Sequence, residues 1–158
     1  MESYGVTVLL GKTVSLSIHG QTLSISGVDD PVRFSEEGTY GVPDASSWYG
    51  QLATVSANAD ASDDFQLLLS HRPEKITEYT DSSFDLVLSG HAHGGQIRIP
   101  YLLNGLYAPG QGIFPQYAGG QYTLGSTDLI VSRGLCKNIL PRFFNRPELV
   151  VIDLCPRS

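Results

Sequence analysis

Three histidines stand where the sequence places the ends of two buried strands, and their spacing is that of metal ligands. His91 and His93 lie one residue apart in GHAHGG, directly after the apolar run Leu86-Val87-Leu88. In extended backbone, side chains at i and i+2 leave on the same side, so both imidazoles can converge on one small volume whose natural occupant is a metal ion. Gly90, Gly94 and Gly95 flank them and suit sharp turns or close approach of backbone to a ligand. His71 follows a second apolar run, Phe65 to Leu69, within LLLSHRPE. Pro73 keeps Arg72 out of helical geometry, so His71 and Arg72 stay extended at that strand's end.

The element between the two runs must bring these residues together. Some fourteen residues connect Leu69 to Phe84, with a helix expected from Pro73 to Thr80, which is long enough for a parallel crossover. Both strands then finish at the same edge of the sheet, where open α/β folds place their ligands. His71, His91 and His93, three of the chain's four histidines, are delivered there, while His19 reads as an exposed turn residue. Upstream, Val6 to Leu10, Val14 to Ile18 and Thr22 to Val28 are strand candidates. The third runs into Asp29 and Asp30, adjacent carboxylates at a strand end that could face a metal site or cap a solvated turn. Asp44 offers an N-cap for a helix over Ser46 to Ala57, with Trp48, Leu52 and Val55 as its buried stripe. Downstream, Pro100 to Gly120 is irregular, with five glycines and Tyr101, Tyr107 and Tyr117; it reads as an ordered cover over the site or as a packed loop. Thr127 to Ser132 and Glu148 to Leu154 are expected to complete the sheet. Arg72, Arg98, Arg133 and Arg146 are the basic residues nearest the turns, where a guanidinium could meet a phosphate.

Composition bounds the partners. At 158 residues and 41% apolar content the chain is expected to form one domain, residues 1–158, with a sizeable core. A net charge of −6 and no Lys/Arg run argue against nucleic acid as a partner. No stretch approaches the roughly 20 apolar residues of a membrane span, and the first residues carry no basic leader, so the sequence as it stands shows no targeting signal. Cys136 and Cys155 lack a CxxC spacing and read as small apolar residues, with a single disulfide left open.

The chain resembles the calcineurin-like metallophosphoesterases. Members carry a strand ending in a metal-binding histidine, here LLLSHRPE, followed by a strand ending in Gly-His-x-His, here SGHAHGGQIRIP. The resemblance is closest to a bacterial branch whose members often bear an N-terminal membrane or export segment, and it continues through GVDDP, PGQGIFPQYAGGQY, SRGL and RFFNRPELVVIDL. It implies His71 and His91 as ligands of the second metal and His93 as a ligand of the first, with Asp29, Asp30 and Arg72 as candidates to support the ligands or meet substrate. It implies an α/β fold, the C-terminal portion of a two-sheet αββα sandwich. The family's Asp-x-His, Gly-Asp-x-x-Asp and Gly-Asn-His motifs have no counterpart, so the chain is expected to correspond to the C-terminal half of the complete domain.

The same resemblance implies a function. The complete site uses two divalent ions, such as Mn, Fe or Zn, to hydrolyse phosphate mono- or diesters by in-line attack. Three neutral imidazoles supply no negative charge to offset two close cations, so at most one ion is expected here. The substrate would be a phosphate ester, small, lipid-like or nucleotide-like. Removal of one sheet would leave an apolar face, covered by a second copy in a homodimer or by the missing N-terminal half. The location would be cytoplasmic, or membrane-associated through a missing N-terminal segment. The competing reading is a catalytically inactive remnant that binds one metal or a partner protein. A His-x-His barrel of the cupin kind is weaker, since no histidine follows His93.

Overall fold

The computed structural model describes residues 2–34, 45–135 and 141–155. Cys136 and the N-cap expected at Asp44 fall outside them. The described residues form a mixed α/β fold around one six-stranded sheet in the order β1-β2-β3-β4-β8-β7. β1 (Lys12–Ile18) and β2 (Gln21–Gly27) make an antiparallel hairpin through His19 and Gly20, both at positive φ. β2, β3 (Phe65–Leu69), β4 (Leu86–Ser89) and β8 (Thr127–Val131) run parallel, and β7 (Gly120–Leu124) closes the far side antiparallel to β8. β5 (Tyr107–Ala108) and β6 (Gly112–Ile113) form a separate two-stranded ribbon inside the stretch expected to be irregular.

The two crossovers reflect hydrophobic spacing. α1 (Ala45–Asp60) joins β2 to β3 and buries Trp48, Leu52, Val55 and Ala59, residues four, three and four apart on one helical face. α2 (Ile76–Thr80), entered through a 3-10 turn at Pro73–Lys75, joins β3 to β4 and buries Ile76 and Tyr79. Both pack on the sheet face that carries Leu68, Val87, Leu129 and Val131, all fully buried, and Phe84 completes this core. Among the described residues no helix is long and apolar enough to cross a membrane.

Two expected strands do not form. Residues 6–10 lie outside the ladder, and Leu9 instead sits over Gly27, where an added Cβ would come within 2.6 Å of the Leu9 Cβ. Residues 148–154 have strand-like composition but lie against a face of the sheet, where they meet no ladder, and leave a groove of about 580 Å³ lined by Phe65, Leu86 and Ile130. β7 is the converse: its alternating QYTL and its two-residue Gly125-Ser126 turn are hairpin signals inside a segment otherwise read as loop and gap.

Strand alternation makes the second face of the sheet apolar as well. The register sets Leu16 beside Leu23, Ile25 beside Leu67, and Leu69 beside Leu88. Much of this face is uncovered: Leu16, Ile18, Phe65 and Leu69 are 46%, 48%, 37% and 40% exposed. Leu68→Ala and Leu16→Ala therefore remove the same atoms from opposite faces. Leu68→Ala is expected to cost about 2–5 kcal/mol in urea unfolding and Leu16→Ala less than about 1 kcal/mol. Equal losses would mean that the second face is covered in solution.

Candidate metal centre

Parallel pairing ends β2, β3 and β4 at one edge, and a residue two or three positions beyond each strand carries a ligand atom. Ligand atoms of Asp30, His71 and His91 all lie within 4.8 Å of one another, the one group of three or more such side chains among the described residues. The ladder runs on past the strands to hold them there: Val28 donates its N–H to Leu69 O, Ser70 to Leu88 O and Gly90 to His71 O. His91 Nδ1 and His71 Nε2 are 3.1 Å apart, sharing a proton, and His71 Nε2 lies 3.8 Å from Asp30 Oδ2. Two nitrogen ligands on a tetrahedral ion with bonds of about 2.0–2.1 Å would be separated by about 3.3 Å, so the pair needs only a small adjustment to exchange its proton for a metal.

The electrostatics favour the ligand forms. Burial acts to raise the Asp30 pKa, but the Val32 N–H and the Arg72 guanidinium, both 2.9 Å from Oδ1, outweigh it and hold the carboxyl below its ordinary value. Burial, reinforced by Arg72 and His71, pushes His91 down to about 4, which keeps the imidazole neutral at physiological pH. His91 Nε2 is buried with no hydrogen-bond partner. Two imidazoles and one carboxylate form a set that suits Zn²⁺, Mn²⁺ or Fe²⁺ and leaves coordination positions open. The donors therefore fit a divalent ion.

His93 is placed differently from the spacing argument. Its neighbours do not stay extended: His91 has φ +63°, Ala92 is right-handed helical, and His93 has φ +49°. Hydrogen bonds from Ala92 N–H to Gly90 O (2.7 Å) and from Gly95 N–H to Ala92 O (2.8 Å) curl the chain, so the i, i+2 rule for strands lapses. His93 Nδ1 lies 3.5 Å from Arg142 Nη2, and its pKa is lowered by burial and by Arg142. It borders the cluster without joining it.

The neighbouring carboxylates part company. Asp29 turns to the helix layer, where Oδ1 meets Arg33 at 2.8 Å, Oδ2 accepts from Gln51 at 3.0 Å and the main-chain carbonyl accepts from Trp48 Nε1. Asp30 turns to the histidines. Arg72 orients it and also reaches Glu74 at 3.3 Å. Among the described residues no hydrogen bond or ion pair links Arg98, Arg133 or Arg146 to the three-residue cluster.

Three positioning residues escaped the sequence. Tyr79 donates its hydroxyl to Arg72 O at 2.9 Å, so its single hydrogen is committed and Ser70 Oγ, 2.6 Å away, must donate to it. This buried clamp fixes the turn bearing His71, and burial pushes the Tyr79 pKa up. Asn145 donates to His93 O (2.7 Å) and Gln96 O (3.2 Å). Its side chain fills the space beside Gly94, where a Cβ would collide with it, so Gly94 is required; Gly90 has ordinary room. Arg142 donates to Arg133 O at 2.9 Å and faces His93. A tyrosine at a helix end and an asparagine before Arg-Pro carry no local sign of such roles.

The chain matches known proteins along nearly its whole length. It is 35% identical over 98% of its residues to the "Uncharacterized metallophosphoesterase YkuE" of Bacillus subtilis, of which it covers 48%. Along that stretch the chain is similar to a protein named as a metallophosphoesterase. It is also 26% identical over 98% of its residues to "Phosphodiesterase YaeI" of Escherichia coli, covering 49% of that protein. A shorter match, 34% identity over 54% of the chain and 28% of the relative, reaches "UDP-2,3-diacylglucosamine pyrophosphatase LpxG" of Chlamydia muridarum. The chain thus spans about half the length of the first two relatives. No family model matches it, and no solved structure gives a significant match. Metallophosphoesterase relatives imply divalent metals, and this edge of the sheet offers a ligand triad for one.

Tyr79→Phe removes the clamp while leaving the ring in place. It is expected to cost about 1–3 kcal/mol in urea unfolding, since Ser70 Oγ and Arg72 O lose their partner in a buried setting. A change below about 0.5 kcal/mol would show that the turn is held by other means.

Proposed function

We propose that this chain contributes to a metal-dependent phosphoesterase centre, with Asp30, His71 and His91 holding one divalent ion and His93 standing at its border. The observation that carries this reading is the convergence of one carboxylate and two imidazoles from three parallel strands onto one edge. When bound, such an ion would polarise a phosphoryl oxygen and stabilise the charge that develops on it. Arg72 holds Asp30 ionised and aimed at the histidines. His91, kept neutral by burial, offers Nδ1, and His71 offers Nε2 from the facing strand. His93 and Arg142 lie where a phosphate anion approaching the edge would meet donors.

One carboxylate among three candidate ligands argues for a single ion. Asp30 is the single carboxylate of the cluster, so the further ligands that two-sided clamping of attacking and leaving oxygens needs must come from residues outside it. The open apolar face, together with the doubled length of the relatives, supports a second layer of polypeptide as the partner of this sheet. A second copy of the chain is the alternative occupant. A phosphate ester is the substrate class, and the names of the relatives extend it to phosphodiesters and nucleotide-linked lipids.

The test is metal content followed by activity. Elemental analysis is expected to find about one divalent ion per chain, and clearly less in Asp30→Asn and in the His71→Ala, His91→Ala double variant. Two tightly held ions in the wild type, or retention by the double variant, would refute the assignment. The 158-residue chain is expected to hydrolyse an aryl phosphate or phosphodiester barely above background with Mn²⁺ or Zn²⁺. Co-expression with the N-terminal half of a relative should give turnover that depends on His71 and His91. Metal binding without activity in either form would favour the inactive remnant.

A further inference from the structure

Beside the metal edge lies a pocket of about 490 Å³ that the phosphoesterase reading does not use. Its floor is made by Arg98 and Arg133, and its rim by Tyr101, Leu102 and Phe144. The floor carries excess positive charge. Both guanidinium side chains lie over Gly119, where a Cβ would sit 2.8 Å from Arg133 Cγ and 3.3 Å from Arg98 Nη1. One carboxylate serves the two: Glu148 pairs with Arg133 through Nη2 and accepts its main-chain N–H at 2.9 Å. Arg98 has no carboxylate within 4.0 Å among the described residues, and its side chain donates to Asn104 Oδ1 at 2.5 Å. Burial and the adjacent Arg133 charge both act against Arg98's own charge. In a chain of net charge −6, this is a local site of unbalanced positive charge.

The rim is apolar and held outward at a conformational cost. Tyr101 is fully exposed, and Leu102 and Phe144 are 81% and 78% exposed. Tyr101 and Phe144 have φ of +66° and +50°, a region that bulky L-residues rarely occupy. The surrounding backbone enforces it: Leu102 and Leu103 both donate to Ile99 O, and Arg98 N–H donates to Phe143 O at 3.0 Å. The pocket connects with the metal edge through Arg142, which touches both Arg133 O and His93 Nδ1.

We propose that this pocket binds an anionic amphiphile: a phosphate or similar anionic group on Arg98 and Arg133, with an adjoining hydrocarbon chain laid on Tyr101, Leu102 and Phe144. A free anion would use the floor alone and a neutral hydrocarbon the rim alone, while both features are joined within one cavity. The proposal rests on the phosphoesterase reading only in making this ligand the non-reacting part of the substrate. It thereby narrows the substrate to phosphate esters with a second anionic group and an apolar tail.

Titration calorimetry with dodecyl phosphate below its micelle concentration tests this, run with chelator present so that metal plays no part. Inorganic phosphate and dodecyl maltoside are the comparators. Dodecyl phosphate is expected to bind at least about tenfold more tightly than either, and Arg98→Gln to weaken it about tenfold, as loss of a charge-assisted pair implies. The paired substitution Tyr101→Ser, Leu102→Ser should weaken it similarly without weakening inorganic phosphate, and His71→Ala, His91→Ala should leave it unchanged. Should Arg98→Gln lose its circular dichroism signature, the Tyr101/Leu102 variant, altered only at exposed side chains, decides. Equal binding of inorganic phosphate or of the maltoside, or no change in the Tyr101/Leu102 variant, would overturn the proposal. A chain that binds the amphiphile in this pattern but no divalent ion removes the phosphoesterase reading and keeps the pocket; ion binding without amphiphile binding does the reverse.

Discussion

Parallel pairing of β2, β3 and β4 is the constraint on which the rest of the structure depends. Gly27 is beside Leu69 and Leu69 beside Leu88, so the three chains leave the sheet level with one another. That alignment requires crossovers, and the crossovers require helices with one apolar face, which explains why α1 and α2 lie on the same side. The ladder then continues past the strand ends, and its last hydrogen bonds are the ones that set His71 against Gly90. A one-residue slip between β3 and β4 would exchange the buried and exposed faces and carry the two imidazoles apart.

Charge at this edge is arranged in two zones. Around Asp30 a single carboxylate is kept ionised by Arg72 and a main-chain donor, close to His91, whose imidazole burial keeps neutral. That is a receptive environment for a cation. A short distance away Arg142, Arg133 and Arg98 line up behind His93 with one carboxylate, Glu148, among them. That zone is receptive to an anion. Were a cation held in the first zone, the proposed ester would meet positive charge at both ends.

Much of the framework was legible because buried strands and amphipathic helices write themselves plainly. Phe65–Leu69 is buried on its helix-covered face and apolar on the other, and its limits agree with the sequence. The convergence of His71 and His91 came from crossover topology alone. Where a residue's role depends on distant partners, the sequence was mute. Val6 to Leu10 and Glu148 to Leu154 have strand composition, but composition does not say whether a ladder is within reach. Asp29 and Asp30 are chemically identical neighbours, separated only by a turn of backbone that aims one at Gln51 and the other at the histidines. His93 departs because consecutive left- and right-handed residues replace the extended chain on which the spacing rule was built.

The bonds from Asn145 to His93 O and Gln96 O span 52 and 49 residues of chain. The histidine turn therefore belongs to two distant stages of synthesis. Asp30, His71 and His91 are all made before Asn145 leaves the ribosome, yet the carbonyls of the turn after His91 cannot meet their final donor until that residue arrives. Contacts of such long sequence separation form slowly, because the intervening loop must first be ordered. A nascent chain would thus carry Asp30, His71 and His91 on an unfinished scaffold, and the geometry of the proposed ion site would mature last.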